Sequence, residues 1–196
     1  MLGHSSLSST TKESPVRRST DEIYRHYRLI AGQRGDGYSA VAYAGKVRVF
    51  SGSGSDLDGA LDDLKAQIDS DFDRRAGQRG GDLPSIEEFE LAFALAAGKI
   101  TGPLQHLMEA LRDGPAISPE LVQRRSGADR ETLLCDLVRL ARALADILAI
   151  PLPKGTGNAH TALELVAERI TFDSDGEGFW KFRSAFAAAA KAHLDR

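Results

Sequence analysis

The sequence predicts an α+β protein, in which a small antiparallel β-β-β-α module precedes a mostly α-helical one. Three observations carry this expectation. Between residues 24 and 50 the side chains alternate at period two around the clusters Gly35-Asp36-Gly37 and Ala44-Gly45-Lys46, the pattern of a meander. After residue 55 apolar residues instead recur at spacings of three and four, as on one face of a helix. Between the two halves, Arg74-Arg75-Ala76-Gly77-Gln78-Arg79-Gly80-Gly81 is polar and glycine-rich, the composition of a linker.

Residues 1–22 are rich in Ser and Thr, without periodicity or an apolar h-region. They are expected to form a disordered tail and not a secretory signal. Tyr27, Leu29 and Ala31 mark a first strand, Tyr38 to Tyr43 a second, and Val47, Val49 and Phe50 a third. Ser51-Gly52-Ser53-Gly54 is expected to break that third strand. Ser55 or Asp56 then caps a helix. Leu57, Leu61, Leu64, Ile68 and Phe72 line one side of it, and Asp58, Asp62, Asp63 and Asp69 lie mostly on the other. The β-β-β-α module is thus placed at 23–75, the linker at 76–83 and the helical module at 84–196.

In the second module, Pro84 opens a helix with Ile86, Phe89 and Phe93 on one face. Gly102-Pro103 opens the next, with Leu104, Leu107, Met108 and Leu111, and Gly114-Pro115 ends it. Two helices joined at Ser126-Gly127-Ala128 follow, and the second is expected to run to about Ile150, before Pro151 and Pro153. A helix with Leu163, Val166 and Ile170 comes next. Thr171-Phe172 and Phe179–Phe182 then flank the loop Asp173–Gly178 as a hairpin, and an Ala-rich helix spans Ser184–Leu194.

The segment Ile117–Leu140 carries the functional expectation. Gly127 supplies the unusual backbone dihedrals that a tight turn between helices needs. Leu121 and Val122 suit the first helix's packing face, and Leu133, Leu137 and Leu140 that of the second. The segment resembles a helix-turn-helix, with Gln123 where that family carries alanine. The resemblance implies a second helix whose first turn, Asp129-Arg130-Glu131-Thr132, enters a DNA major groove. On it, Arg124 and Arg125 contact phosphates and Arg130 and Thr132 face bases. With the hairpin as a wing at 170–183 bearing Lys181 and Arg183, residues 84–194 are similar to winged-helix-like modules found beside bacterial restriction-type endonucleases.

The first module resembles the small antitoxin domain of the HicB type, through the Gly37-Tyr38 strand entry and the helix after Ser55 with Ala60-Leu61 and Ile68. That resemblance implies a protein partner for the N-terminal module. Its cations Arg25, Arg28, Lys46 and Arg48 also suit a sheet that touches DNA.

The net charge of −3 argues against a strongly basic, sequence-indifferent DNA coat, while allowing a local basic face. Cys135 is expected to be partly buried beside Leu133, Leu134 and Leu137. His4, His26, His106, His160 and His193 show no metal-ligand spacing, so no metal and no cofactor are expected. Asp173-Ser174-Asp175-Gly176-Glu177-Gly178 looks like the start of an EF-hand loop, but Ser184 stands where a bidentate Glu should close the calcium shell. Lys154-Gly155-Thr156-Gly157 follows a helix and not a strand, unlike a phosphate loop. No apolar run reaches the roughly 20 residues that span a bilayer, so no membrane association is expected. The expectation is a cytoplasmic, non-catalytic protein binding duplex DNA, as a regulator or a restriction or defence accessory. The alternative is a protein-interaction module such as an antitoxin or phage-encoded inhibitor.

Overall fold

The computed structural model describes residues 19–155, 157–172 and 178–195. Its first half is a meander of four strands: β1 (Ser19–Tyr24), β2 (Tyr27–Arg34), β3 (Gly37–Ala44) and β4 (Val47–Gly54), paired antiparallel in sequence order. Two-residue turns at Arg25-His26, Gly35-Asp36 and Gly45-Lys46 join them. The first residue of each turn takes positive φ, 54° at Arg25, 63° at Gly35 and 60° at Gly45. Glycine accepts that conformation freely, whereas for Arg25 it costs about 1–2 kcal/mol.

The sheet has four strands and not three. β1 includes part of the expected tail, and β4 continues to Gly54 through the expected break. Helix α1 (Leu57–Arg79), capped by the Asp56 carboxylate accepting the Gly59 N–H at 2.7 Å, crosses one face of the sheet. Leu57, Ala60, Leu61, Leu64 and Ile68 pack there against Leu29, Ala31, Ala40 and Ala42. α1 runs through the stretch read as a linker and stops at Gly80, whose φ of 60° breaks it.

The second half holds α2 (Ile86–Leu95), α3 (Gly102–Ala110), β5 (Ala116–Ile117), α4 (Pro119–Ser126), α5 (Arg130–Ile147), α6 (Asn158–Val166), β6 (Ala167–Phe172), β7 (Gly178–Phe182) and α7 (Ser184–Leu194). β5, β7 and β6 form a second antiparallel sheet in that order, with β7 central. The architecture is therefore α+β, a sheet backed by one helix and then a mostly helical region. Ile170 lies in β6 and not on the preceding helix, and Ile86 is exposed while Phe89 and Phe93 are buried. Leu133, Leu137, Leu140, Ala141 and Leu144 of α5 share one core with Phe89, Phe93, Leu104, Met108, Trp180, Phe182 and Phe186. The rings of Phe182 and Phe186 stack at 5.5 Å between centroids.

The two halves meet at the C-terminal end of α5. Arg25 lies over the Phe72 ring, 3.9 Å from its centroid, and bridges Asp69 at 2.8 Å and Asp146 at 3.1 Å. His26 Nδ1 lies 2.9 Å from Asp146 Oδ2. Arg75 donates to the Ile147 carbonyl at 2.9 Å and Arg79 to that of Leu148 at 3.3 Å. These cations meet the carbonyl-rich end of α5, where a helix dipole favours positive charge. The polar residues between the modules are therefore interface residues.

Arg79 also pairs with Glu88 at 2.5 Å, within a capping box in which Ser85 and Glu88 satisfy each other's backbone N–H. The Arg79 guanidinium, with the Ser85 N–H, holds the Glu88 carboxyl below its ordinary value. A depressed folded pKa stabilises the protein above the unfolded value, about 4.3, and the gain is lost as pH falls through the folded one. The melting temperature is expected to fall on acidification below about pH 4.3, and Glu88→Gln to flatten part of that fall. Melts from about pH 7 to about pH 3 that do not change with the substitution would remove this pair from the account.

Candidate nucleic-acid interface

The α4–α5 turn is built as the sequence predicts. Gly127 caps α4 with φ 70° and ψ 0°, and its N–H donates to the Gln123 carbonyl at 2.8 Å. The Ser126 hydroxyl accepts from the Ala128 N–H at 3.2 Å. Asp129 is the N-cap of α5, accepting from the Thr132 N–H at 2.7 Å and from the Thr132 hydroxyl at 3.1 Å. The Thr132 hydrogen bonds hold the Asp129 carboxyl below the usual carboxylate range, so it stays ionised at neutral pH. Val122 of α4 and Leu133, Leu137 and Leu140 of α5 are buried behind the turn.

Arg124 and Arg125 are exposed in the last turn of α4. Arg130, the first residue of α5, is half-buried, with Nε and Nη2 shielded from solvent, and it is engaged within the protein. It reaches a base only after swinging outward. Thr132 is exposed, but its hydroxyl is held by Asp129.

The hairpin cations stand apart from this turn. Lys181 pairs with Glu168 across the hairpin at 2.5 Å and lies opposite Ala116, three residues before the start of α4. Arg183 donates from Nε to the Glu164 carbonyl at 2.7 Å. Along α4, Arg124 and Arg125 lie roughly 8–9 Å from its first residue, Pro119, on the hairpin side. The six expected residues thus form a turn cluster and a hairpin group. The loop 173–177, including most of the calcium-like sequence, lies outside the described residues.

Three further residues of α5 face solvent: Cys135, Arg139 and Arg142. Cys135 was expected to be partly buried. Two residues, or roughly 200° around the helix, separate it from both Leu133 and Leu137, and this carries it to the opposite face. Glu131, Cys135, Arg139 and Arg142 form one stripe at spacings of three and four, a signal legible once the leucine face is fixed. Arg139 bonds Asp136 at 3.1 Å and Arg142 bonds Asn158 at 2.6 Å. Asp136, 8% exposed, also accepts from the Thr101 hydroxyl at 2.7 Å and ties α5 to the start of α3.

Of the sheet cations, Arg25 turns to the junction with α5, whereas Arg28 and Arg48 remain on the exposed surface. Among the described residues no three His, Cys, Asp or Glu side chains are placed to hold a metal ion, and no helix is long and apolar enough to cross a membrane. Comparisons with protein-family models, with curated proteins and with solved structures return no match to this chain.

Proposed function

We propose that the chain is a non-catalytic DNA-binding protein, a regulator or a restriction or defence accessory, that presents the start of α5 to a duplex major groove. The observation that carries this reading is the α4–α5 turn. A left-handed Gly127 joins two helices whose inner faces are buried, while Arg124, Arg125, Glu131 and Thr132 stay exposed around the turn. The order β5, α4, α5, α6 and then the β6–β7 hairpin, with β5 paired to β7, supports a winged form with α6 inserted between the second helix and the wing. In this reading Arg124 and Arg125 hold phosphates, Arg130 and Thr132 read bases, and Lys181 and Arg183 add contacts from the wing.

One observation favours a protein partner instead: Thr132, Lys181 and Arg183 are already bonded to neighbours in the chain. Selection from a random duplex library at two salt concentrations separates the two readings. DNA binding predicts enrichment of a site, and replacing both Arg124 and Arg125 by alanine should lower the log–log salt slope by about 1.8. Arg130→Ala should cost about 1–3 kcal/mol on the enriched site. Absence of both enrichment and salt-dependent binding, with a small basic protein co-purifying, would establish the partner reading in its place.

A further inference from the structure

The outer face of the first sheet is organised in cross-strand rows. The register aligns Ile23, Arg28, Tyr43 and Arg48 in one row, Asp21, Ile30, Val41 and Ser51 in the next, and Ser19, Gly32, Ser39 and Ser53 in the third. α1 covers the opposite face, where Leu29, Ala31, Ala40 and Ala42 point. Ile23 is 71% and Ile30 37% exposed, while Ser39, Val41 and Tyr43 at the middle of the face are half-buried.

Charge on this face runs against that of the whole chain. Arg28, Arg34 and Arg48 point outward with Asp21 as the carboxylate beside them, although the chain carries a net charge of −3. The acids Asp58, Asp62 and Asp73 occupy the exposed side of α1, across the sheet. Asp21 braces the Arg28 guanidinium with bonds of 2.5–3.2 Å, which fixes it beside Tyr43. Arg48 flanks Tyr43 from the other strand, where β4 carries the extra residue Val49.

The third row has no side chain longer than a serine, so a phosphate backbone can come close to hydroxyl donors there. Four strands at about 4.8 Å spacing span roughly 14 Å, wider than a major groove of about 12 Å, so such a face meets the phosphate backbone and not the groove floor.

We propose that this outer face is a second DNA-contacting surface, which seats the row Arg28–Tyr43–Arg48 against a duplex and takes phosphates with Arg34 and Arg48. It goes beyond the α4–α5 reading and does not depend on it. The junction at Asp146 joins the two surfaces in one molecule.

The test uses the full chain, mixed-sequence duplex DNA and a single strand of the same length, titrated at several salt concentrations. Arg34→Ala with Arg48→Ala removes two exposed side chains, and an unchanged melting temperature verifies that the sheet is intact. The double variant is expected to bind duplex at least about tenfold more weakly at low salt, with a salt slope lower by about 1.8. Unchanged affinity and slope beside a binding wild type would overturn the sheet surface. If Arg124→Ala with Arg125→Ala then weakened binding, the α4–α5 reading would still stand. The reverse pattern, loss only on changing Arg34 and Arg48, would support the sheet and overturn α4–α5. Tighter binding of the single strand, no DNA binding by the wild type, or a protein partner lost on Ile23→Ser would each overturn the duplex as occupant.

Discussion

Valine at position 54 is expected to prevent the sheet and α1 from folding together. A Cβ on Gly54 would stand 2.4 Å from the Ala60 backbone nitrogen and 2.7 Å from the Gly59 carbonyl carbon. Gly52 is in the same position one row along, 2.7 Å from the Ala60 carbonyl oxygen and 2.8 Å from the Leu64 nitrogen. These neighbours are backbone atoms of α1, so no side-chain rotation relieves the overlap. The helix would have to lift by roughly 1 Å to reach ordinary contact distances of about 3.5–4.0 Å, which opens the layer formed by Leu57, Ala60, Leu61 and Leu64. Overpacking costs about 1–3 kcal/mol even where side chains can adjust. Gly54→Ala is therefore expected to lose at least about 3 kcal/mol, or roughly 6–12 °C in melting temperature. Gly54→Val is expected to show no cooperative melt. Gly77→Ala, on an exposed turn of α1 with nothing within 4 Å of the new Cβ, should instead stabilise by about 0.5–1 kcal/mol. A thermal melt of Gly54→Ala matching the wild type would refute the close helix approach.

The same glycines show why part of the fold was hidden in the sequence. Local propensity reads Ser51-Gly52-Ser53-Gly54 as a break, because glycine weakens an isolated strand. Their reason for being in β4 is tertiary, the approach of α1, which no local pattern displays. β1 was hidden for a related reason. Its inward side chains are Thr20, Glu22 and Tyr24, and they meet polar groups on α1, with Lys65 on Glu22 at 2.7 Å and the Tyr24 hydroxyl on Asp69 at 2.7 Å. A strand that faces its helix through ion pairs shows no hydrophobic alternation. Arg75 and Arg79 were likewise read as linker because their partners, the last carbonyls of α5, are about seventy residues away. By contrast, the Gly127 turn and the leucine face of α5 rest on local dihedral and periodic constraints, and both were legible. The inward seat of Arg130 and the Thr132–Asp129 bond depend on side-chain geometry around the N-cap, which residue types alone leave open.

Trp180→Ala is expected to be the most damaging single truncation in the second half. Trp180 sits at the middle of the central strand β7, opposite Ile117 on β5 and Ile170 on β6, and is fully buried. Its ring lies 6.3 Å from that of Phe182, which in turn stacks on Phe186 of α7. One side chain thus fastens β5, the hairpin and the terminal helix to the core behind α5. Removing a buried aromatic costs about 3–5 kcal/mol, or roughly 6–20 °C in melting temperature for a chain of this size. Trp180→Phe keeps much of the buried ring and should recover most of the loss. The position also separates packing from recognition. Trp180 does not reach the surface, so its loss removes no phosphate contact. At temperatures where the variant is folded, Lys181 and Arg183 are still presented, so DNA affinity and salt slope should both stay close to those of the wild type. Arg124→Ala should do the opposite, lowering the slope by about 0.9 with the melting temperature unchanged. If instead Trp180→Ala changes the slope and Arg124→Ala changes only the melting temperature, the hairpin and not the α4–α5 turn carries the phosphate contacts.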